Sequence, residues 1–341
     1  MNDHSEALQL VLDSLVNGKG APISSLDEIA AVGHRTVHGG KYYGKSTIID
    51  DELIATMEKM KVLAPLHNAA GLIGIEACKK LLPGKPMVGV FDTAFFNTLE
   101  PSAYTYAIPY EYTEKYDIRK YGFHGTSHRY VAMRTAEFLG KDIKDLNIVT
   151  CHIGNGASCT AVKGGVAIDT SMGLTPLDGL MMGTRCGSID PSIVTFLQEK
   201  EGLSAEEMDA VLNKKSGFLG VSGVSSDLRD VAAASDEGNE RATLAYEIAA
   251  RTIKKYIGMY TFEMGGVDVI TCTAGVGEND VRMRKMVFEG LEGLGIKLDL
   301  EKNNTFGGDR EISADDSKVK ILVIPTDEEY MIAKDTYDLV K

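Results

Sequence analysis

The stretch from Ile148 to Asp169 most constrains the fold. Ile148–His152 and Ser158–Lys163 are two apolar runs joined by Gly154-Asn155-Gly156, and Gly164-Gly165 leads into a third run, Val166–Asp169. Short β-type runs separated by glycine turns predict a strand meander. Around it, helical and strand patterns alternate. Helices are predicted at Ser5–Val16, Asp51–Lys61 and Asn68–Leu82, and another starts after a Gly-Thr-Ser cap near Gly125–Ser127, with Ser127 as its N-cap, and runs to about Leu139. A long helix is predicted at Asn239–Glu263, with Ala245, Ala249, Ile253, Ile257 and Tyr260 on one stripe. Strands are predicted at Ala30–His38, Met87–Phe91, Val267–Thr271 and Val319–Ile324. A further helix carries Met283, Val287, Leu291 and Leu294 on one face, and the last helix follows Thr326. This alternation argues for an α/β architecture. Each half carries helices on a buried strand, but only the second half opens with a meander.

The chain has 341 residues, 44% of them hydrophobic and 25% charged, which suits two globular domains. Its net charge of −13 argues against nucleic acid or an anionic membrane as partner. A site for anions must therefore gather positive charge locally. The five cysteines are odd in number and form no C-x-x-C pair, so they read as reduced thiols of a cytoplasmic protein. The first residues are acidic and amphipathic, unlike a signal peptide, and no apolar run reaches the roughly 18 residues of a membrane span.

Several segments carry chemistry-bearing residues. In His152-Ile153-Gly154-Asn155-Gly156, a glycine-flanked turn exposes backbone N–H groups that suit phosphate oxygens, although Asn-Gly is also the commonest hairpin turn. Ala274-Gly275-Val276-Gly277-Glu278-Asn279 reads as a glycine-rich turn between a strand and a helix N-terminus, either beside a nucleotide or simply for packing. In Gly183-Thr184-Arg185-Cys186-Gly187, an arginine between glycines can clamp carboxylate or phosphate, or sit solvated in a loop. His34 and His38 stand four apart, but on a strand and without the glutamate of a zinc helix, so a metal reading is rejected. Arg35 and Val37 alternate in phase. His124 lies in a glycine-bounded loop with no hydrolase elbow near it. Asp92 and Glu328 follow buried strands, where α/β sheets place their sites, and could orient Mg²⁺ or act in helix capping.

Taken together and in order, these segments resemble the acetate kinase family. V-G-H-R-x-V-H-G-G, L-A-P-L-H-N, F-D-T-A-F, Y-G-F-H-G-T-S-H, C-H-I-G-N-G, T-S-M-G-x-T-P, G-T-R-C-G-S-I-D-P and A-G-V-G-E-N all match, spread over nearly the whole chain. The resemblance implies a duplicated actin/hexokinase-like (ribonuclease H-like) fold with two domains, 1–94 plus 327–341 and 95–326, and a homodimer. It implies transfer of the γ-phosphoryl of ATP to acetate, giving acetyl phosphate and ADP, with Mg²⁺ or Mn²⁺. It assigns Arg35 and Arg185 to the carboxylate and the moving phosphoryl, His124 to the phosphoryl oxygens, and Glu328 and Asp92 to the metal. Val37, Leu66, Phe123 and Pro176 would line the methyl pocket, together with Arg35. His152, Gly154, Asn155 and Gly156 would cradle phosphate. Asp227, Leu228, Arg229, Gly275, Val276, Gly277 and Asn279 would hold the nucleotide. The family's usual N-x-G-S-S-S-x-K loop is not found, so an N-terminally truncated first domain with an exposed sheet edge is expected. A nucleotide-binding remnant without catalysis, or a propionate or butyrate kinase, stand as the alternatives.

Overall fold

The computed structural model describes residues 4–60 and 65–341, with side chains at 6–60 and 68–341. The chain divides into two compact units, Met1–Asn97 with Asp327–Lys341, and Thr98–Thr326.

In the first unit, β1 (Val32–Thr36), β2 (Thr47–Ile48) and β3 (Met87–Phe91) form a sheet in the order β1-β3-β2, with β1 parallel to β3. All five residues of β3 are buried, as a central strand covered on both faces requires. β1 is shorter than the predicted Ala30–His38. Past Thr36 the chain turns, with Gly40 at φ 59° and its N–H donating to His38 Nδ1. The helix Asp51–Lys59 starts at Asp50, whose carboxylate accepts from Leu53 N at 2.8 Å. Its Leu53 and Met57, one turn apart, pack with Leu72, Ile75 and Phe91. The next helix is Pro65–Leu81, starting three residues earlier than predicted because proline is well suited to a first turn. The side chain of Leu66 lies outside the described residues.

The C-terminal helix, Glu328–Val340, returns to the first unit and packs on β1 and β3. The approach is close: a Cβ on Gly33 would lie 2.5 Å from both Ile332 Cγ2 and Thr336 Oγ1. Asp327 caps this helix through Tyr330 N at 2.8 Å.

In the second unit, the predicted meander is present as β4 (Asn147–Ile153), β5 (Ala157–Lys163) and β6 (Val166–Thr170). β7 (Val269–Thr273), β8 (Arg310–Glu311) and β9 (Lys320–Val323) extend it to the order β6-β5-β4-β7-β9-β8, with β4, β7 and β9 parallel. β7 lies two residues later than predicted. Its register against β4 pairs Cys272 and Thr273 with Cys151 and His152 and buries both. The helix Glu240–Met264 is capped by Asn239 and buries the predicted stripe.

Three expectations are corrected here. Ser127 is not an N-cap: the helix Gly125–Leu139 starts after His124, which sits at φ 58°, and Ser127 is fully buried one turn in. The glycine-rich segment after β7 is not a loop but a short helix, Ala274–Asn279, entered through Ala274 at φ 64°. The helix carrying Met283 and Val287 ends at Phe288, where Gly290 at φ 78° turns the chain, so Leu294 is 67% exposed and shares no stripe with them.

Candidate active site

Two clusters of polar side chains stand out, one in each unit. In the first, Arg35 on β1 faces the residue that follows β3. Asp92 N–H donates to Thr36 O at 3.0 Å, which continues the parallel pairing one step past the strand end and brings Asp92 beside Arg35. Arg35 Nε donates to Asp92 Oδ1 at 2.9 Å and Nη2 to Oδ2 at 2.7 Å, a two-pronged contact. Asp92 is 1% exposed, whereas the Arg35 side chain keeps 43% of its surface open. The Asp92 bonds and charge hold the guanidinium charged more firmly than usual.

Glu328 begins the C-terminal helix 3.9 Å from Arg35 Nη2. Burial raises its carboxyl above the ordinary range, the arginine opposes this, and Asp92 adds to it. Glu328 Oε1 is buried without a hydrogen-bond partner. An unsatisfied carboxylate oxygen near a saturated one suits a cation that would be held by one or two carboxylates and by ligand oxygens. Among the described residues no cluster of three or more His, Cys, Asp or Glu could hold a metal. Val37, just past β1, is partly buried. His34 and His38 are pushed down to about 4 by burial alone.

In the second unit, the N-terminus of the helix Gly125–Leu139 meets one face of β4 and β5. His152 and Ser158 are register partners on that face. His124 and His152 stack with ring centroids 4.1 Å apart. Ser127 Oγ lies 2.8 Å from His152 Nδ1 and 2.7 Å from Thr326 Oγ1. Ser158 Oγ lies 2.9 Å from His124 Nδ1 and 2.8 Å from His128 Nε2. His128 is fully buried, and desolvation keeps it neutral well below its usual range. Phe123, 2% exposed, anchors the chain just before the left-handed His124.

Arg185 Nη1 donates to Pro176 O at 2.8 Å, which aims the rest of the guanidinium at the Gly154–Gly156 turn. A Cβ on Gly156 would lie 3.3 Å from Arg185 Nη2 and 3.4 Å from His124 Nε2. Two side-chain nitrogens thus converge on bare backbone, and the glycine is what leaves room for them. Beside this turn opens a cavity of about 930 Å³, within the size range of small-molecule sites. Gly154 and Asn155 line it, with Asp227, Leu228 and Arg229 and with Gly275, Val276 and Asn279. Gly156, Gly277 and His152 are not among its lining residues. Gly277 instead packs against Cys272 and gives its carbonyl to Arg284 at 2.9 Å. Asp227 caps the helix Leu228–Asp236 and pairs with Arg229 at 2.5 Å, which lowers its carboxyl to about 2.

Sequence reasoning missed Ser158, His128, Tyr246 and Arg282. Arg282 stacks on the Tyr246 ring at 4.6 Å, and both line the cavity. The spacing of His124 and His128, one helical turn apart, was a readable signal; the Tyr246–Arg282 contact joins distant helices and left none.

The family model of the acetokinase family matches residues 1–334. The chain belongs to the acetokinase family. Over its full length the chain is 60% identical to the acetate kinase of Caldanaerobacter subterraneus subsp. tengcongensis, covering 85% of that protein. It matches the crystal structure of Porphyromonas gingivalis acetate kinase with TM-score 0.95 and 52% identity, over all of this chain and 86% of that one. It matches a propionate kinase from Francisella tularensis with TM-score 0.92 and 42% identity, over 98% of this chain and 85% of that one. The expected actin/hexokinase-like α/β fold is thereby borne out. The family implies a kinase that moves phosphate to a carboxylate.

Proposed function

We propose that this chain phosphorylates acetate with ATP by direct in-line transfer, giving acetyl phosphate and ADP. The observation that carries the reading is the convergence of Arg185 Nη2 and His124 Nε2 on Gly156, next to Gly154 and Asn155, which line the cavity. Acetate is ionised at neutral pH, so no base is needed to activate it. The barrier is the approach of two anions and the charge on the equatorial oxygens in the transition state. Preorganised donors on those oxygens lower it.

In this reading the 930 Å³ cavity takes the nucleoside, and Asn155, Gly154 and Gly156 meet its phosphates. Arg185 and His124 act on the transferring phosphoryl, and Arg35 holds the acetate carboxylate. Asp92 acts through Arg35, whose guanidinium it orients. Glu328, whose Oε1 makes no hydrogen bond, would hold Mg²⁺ or Mn²⁺, with Asp92 as second candidate. When bound, that ion supplies charge neutralisation to the phosphate oxygens. Val37, Leu66, Phe123 and Pro176 are proposed for the methyl pocket.

One extra methylene changes binding by only about 1–3 kcal/mol. The likeness to a propionate kinase therefore supports propionate as a weaker substrate. A homodimer in the cytoplasm is proposed with the activity, and light scattering tests the dimer.

The test is acetyl phosphate formation, trapped as hydroxamate, from the chain with ATP, Mg²⁺ and acetate, beside Arg185→Ala. Turnover abolished by the substitution supports the reading. A folded chain that binds ATP but makes no acyl phosphate overturns it in favour of a nucleotide-binding protein without catalysis.

A further inference from the structure

We propose that Thr150, His128 and Ser158 form a one-way hydrogen-bond relay that fixes His124 as the tautomer protonated on Nε2. The inference rests on the reading of His124 as a phosphoryl contact for its use, but not for its geometry.

The argument is a proton count. His128 is 0% exposed. Both its nitrogens have hydroxyl partners: Thr150 Oγ1 at 2.7 Å from Nδ1 and Ser158 Oγ at 2.8 Å from Nε2. A buried neutral imidazole has one N–H and one acceptor nitrogen, so one hydroxyl donates to it and the other accepts from it. Thr150 decides which. Its other acceptor, Thr160 O, is 3.5 Å away, beyond the usual range for a hydroxyl donor. The Thr150 proton therefore goes to His128 Nδ1, which leaves the His128 proton on Nε2, pointing at Ser158 Oγ. Ser158 has one proton of its own, and its second contact is His124 Nδ1 at 2.9 Å. It donates there. His124 Nδ1 is then an acceptor, and its own proton sits on Nε2, the nitrogen that faces Gly156 beside Arg185.

The opposite polarity would leave Thr150 with a distant acceptor and would turn a bare lone pair of His124 toward the phosphate site. A lone pair repels a phosphoryl oxygen; an N–H donates to it. The relay thus supplies a fixed donor without requiring a charged imidazole. Ser158 and His128 are positioning residues here, since neither faces Gly156.

The fold allows this because one strand face carries the parts in order. Thr150 and His152 alternate inward on β4, Ser158 lies opposite His152 on β5, and His124 and His128 come down on that face from the helix one turn apart.

The test is ¹⁵N NMR of the imidazoles in the ¹⁵N-histidine-labelled chain at pH 7.5, with His124 assigned by His124→Gln. The expected spectrum has His124 Nδ1 unprotonated and Nε2 protonated. A His124 protonated on Nδ1, or on both nitrogens, overturns the relay whether or not the chain makes acetyl phosphate. Ser158→Ala should convert His124 to a tautomer mixture. It should also lower kcat roughly 10- to 100-fold, with the KM for ATP within about twofold. Ser158→Thr, which keeps the hydroxyl, should restore the single tautomer. An unchanged His124 spectrum in folded Ser158→Ala would also overturn the proposal. A correct spectrum in an inactive chain would sustain the relay and overturn only the proposed reaction.

Discussion

Arg35 meets Asp92 through two parallel hydrogen bonds, of 2.9 and 2.7 Å, across the ends of two adjacent parallel strands. The carboxylate is buried and the guanidinium is half open. The buried partner orients, and the open one is left to bind. Arg35→Lys keeps the charge but loses the fork. It should lower acetyl phosphate formation by about 10²-fold or more while the Tm changes little. Arg35→Ala strands a buried carboxylate and should cost about 1–2 kcal/mol, discounted because the arginine is partly exposed. Hydroxamate assays and thermal melts separate the two effects.

Gly33 is where the C-terminal helix touches β1. Gly33→Ala would set a Cβ 2.5 Å from Ile332 and Thr336. Overpacking of this kind should destabilise by about 1–3 kcal/mol. Because Glu328 begins that helix, Mg²⁺ affinity should fall in parallel. Urea melts and metal titration check both.

Gly156→Ala should spare stability to within about 1 kcal/mol, because the turn tolerates a methyl conformationally. The methyl would displace Arg185 Nη2 or His124 Nε2. The displacement is a few tenths of an ångström, short of the roughly 1 Å that costs about 10²-fold, so kcat should fall several-fold. Gly183→Ala acts differently: its Cβ would collide with Asn155 Oδ1. It should weaken ATP binding about tenfold, or roughly 1.4 kcal/mol. Calorimetric titration with ATP distinguishes the pair.

The first unit should lose stability in mild acid. His34 and His38 are held near 4 in the fold against about 6.5 unfolded. Their contribution is fully present above pH 6.5 and is lost as pH falls toward 4, by up to about 3 kcal/mol each. Glu328 runs the other way: its raised carboxyl stabilises below about 4.5 and loses that effect as pH rises past its folded value. Between pH 6.5 and 5 the histidines should dominate. Denaturant midpoints across that range should fall, and the double substitution His34→Gln with His38→Gln should flatten the slope.

What the sequence alone determined is what depends on neighbours along the chain. Strand alternation, glycine turns and helix stripes are local, so the meander at Asn147–Thr170, the buried β3 and the long helix Glu240–Met264 were legible. The motifs also marked Arg35, His124, Asn155 and Arg185 as chemistry-bearing, and eight of the residues expected to hold nucleotide line the one cavity described above. The tertiary structure decided what local rules could not. Ser127 looked like a cap because serine before a helical run usually is one, yet the left-handed His124 starts the helix and turns Ser127 toward His152. The run at Ala274–Asn279 looked like a loop because glycine disfavours helix, yet packing of Gly277 against β7 makes it one. Asp92 and Glu328 read alike as carboxylates after buried strands, but only the register of β1 on β3 places both Asp92 oxygens on Arg35, while Glu328, 3.9 Å from the same guanidinium, keeps one oxygen without a hydrogen bond. Residue types and their local order specify which groups are available. Strand register and helix docking, set by burial over the whole unit, decide which of them meet.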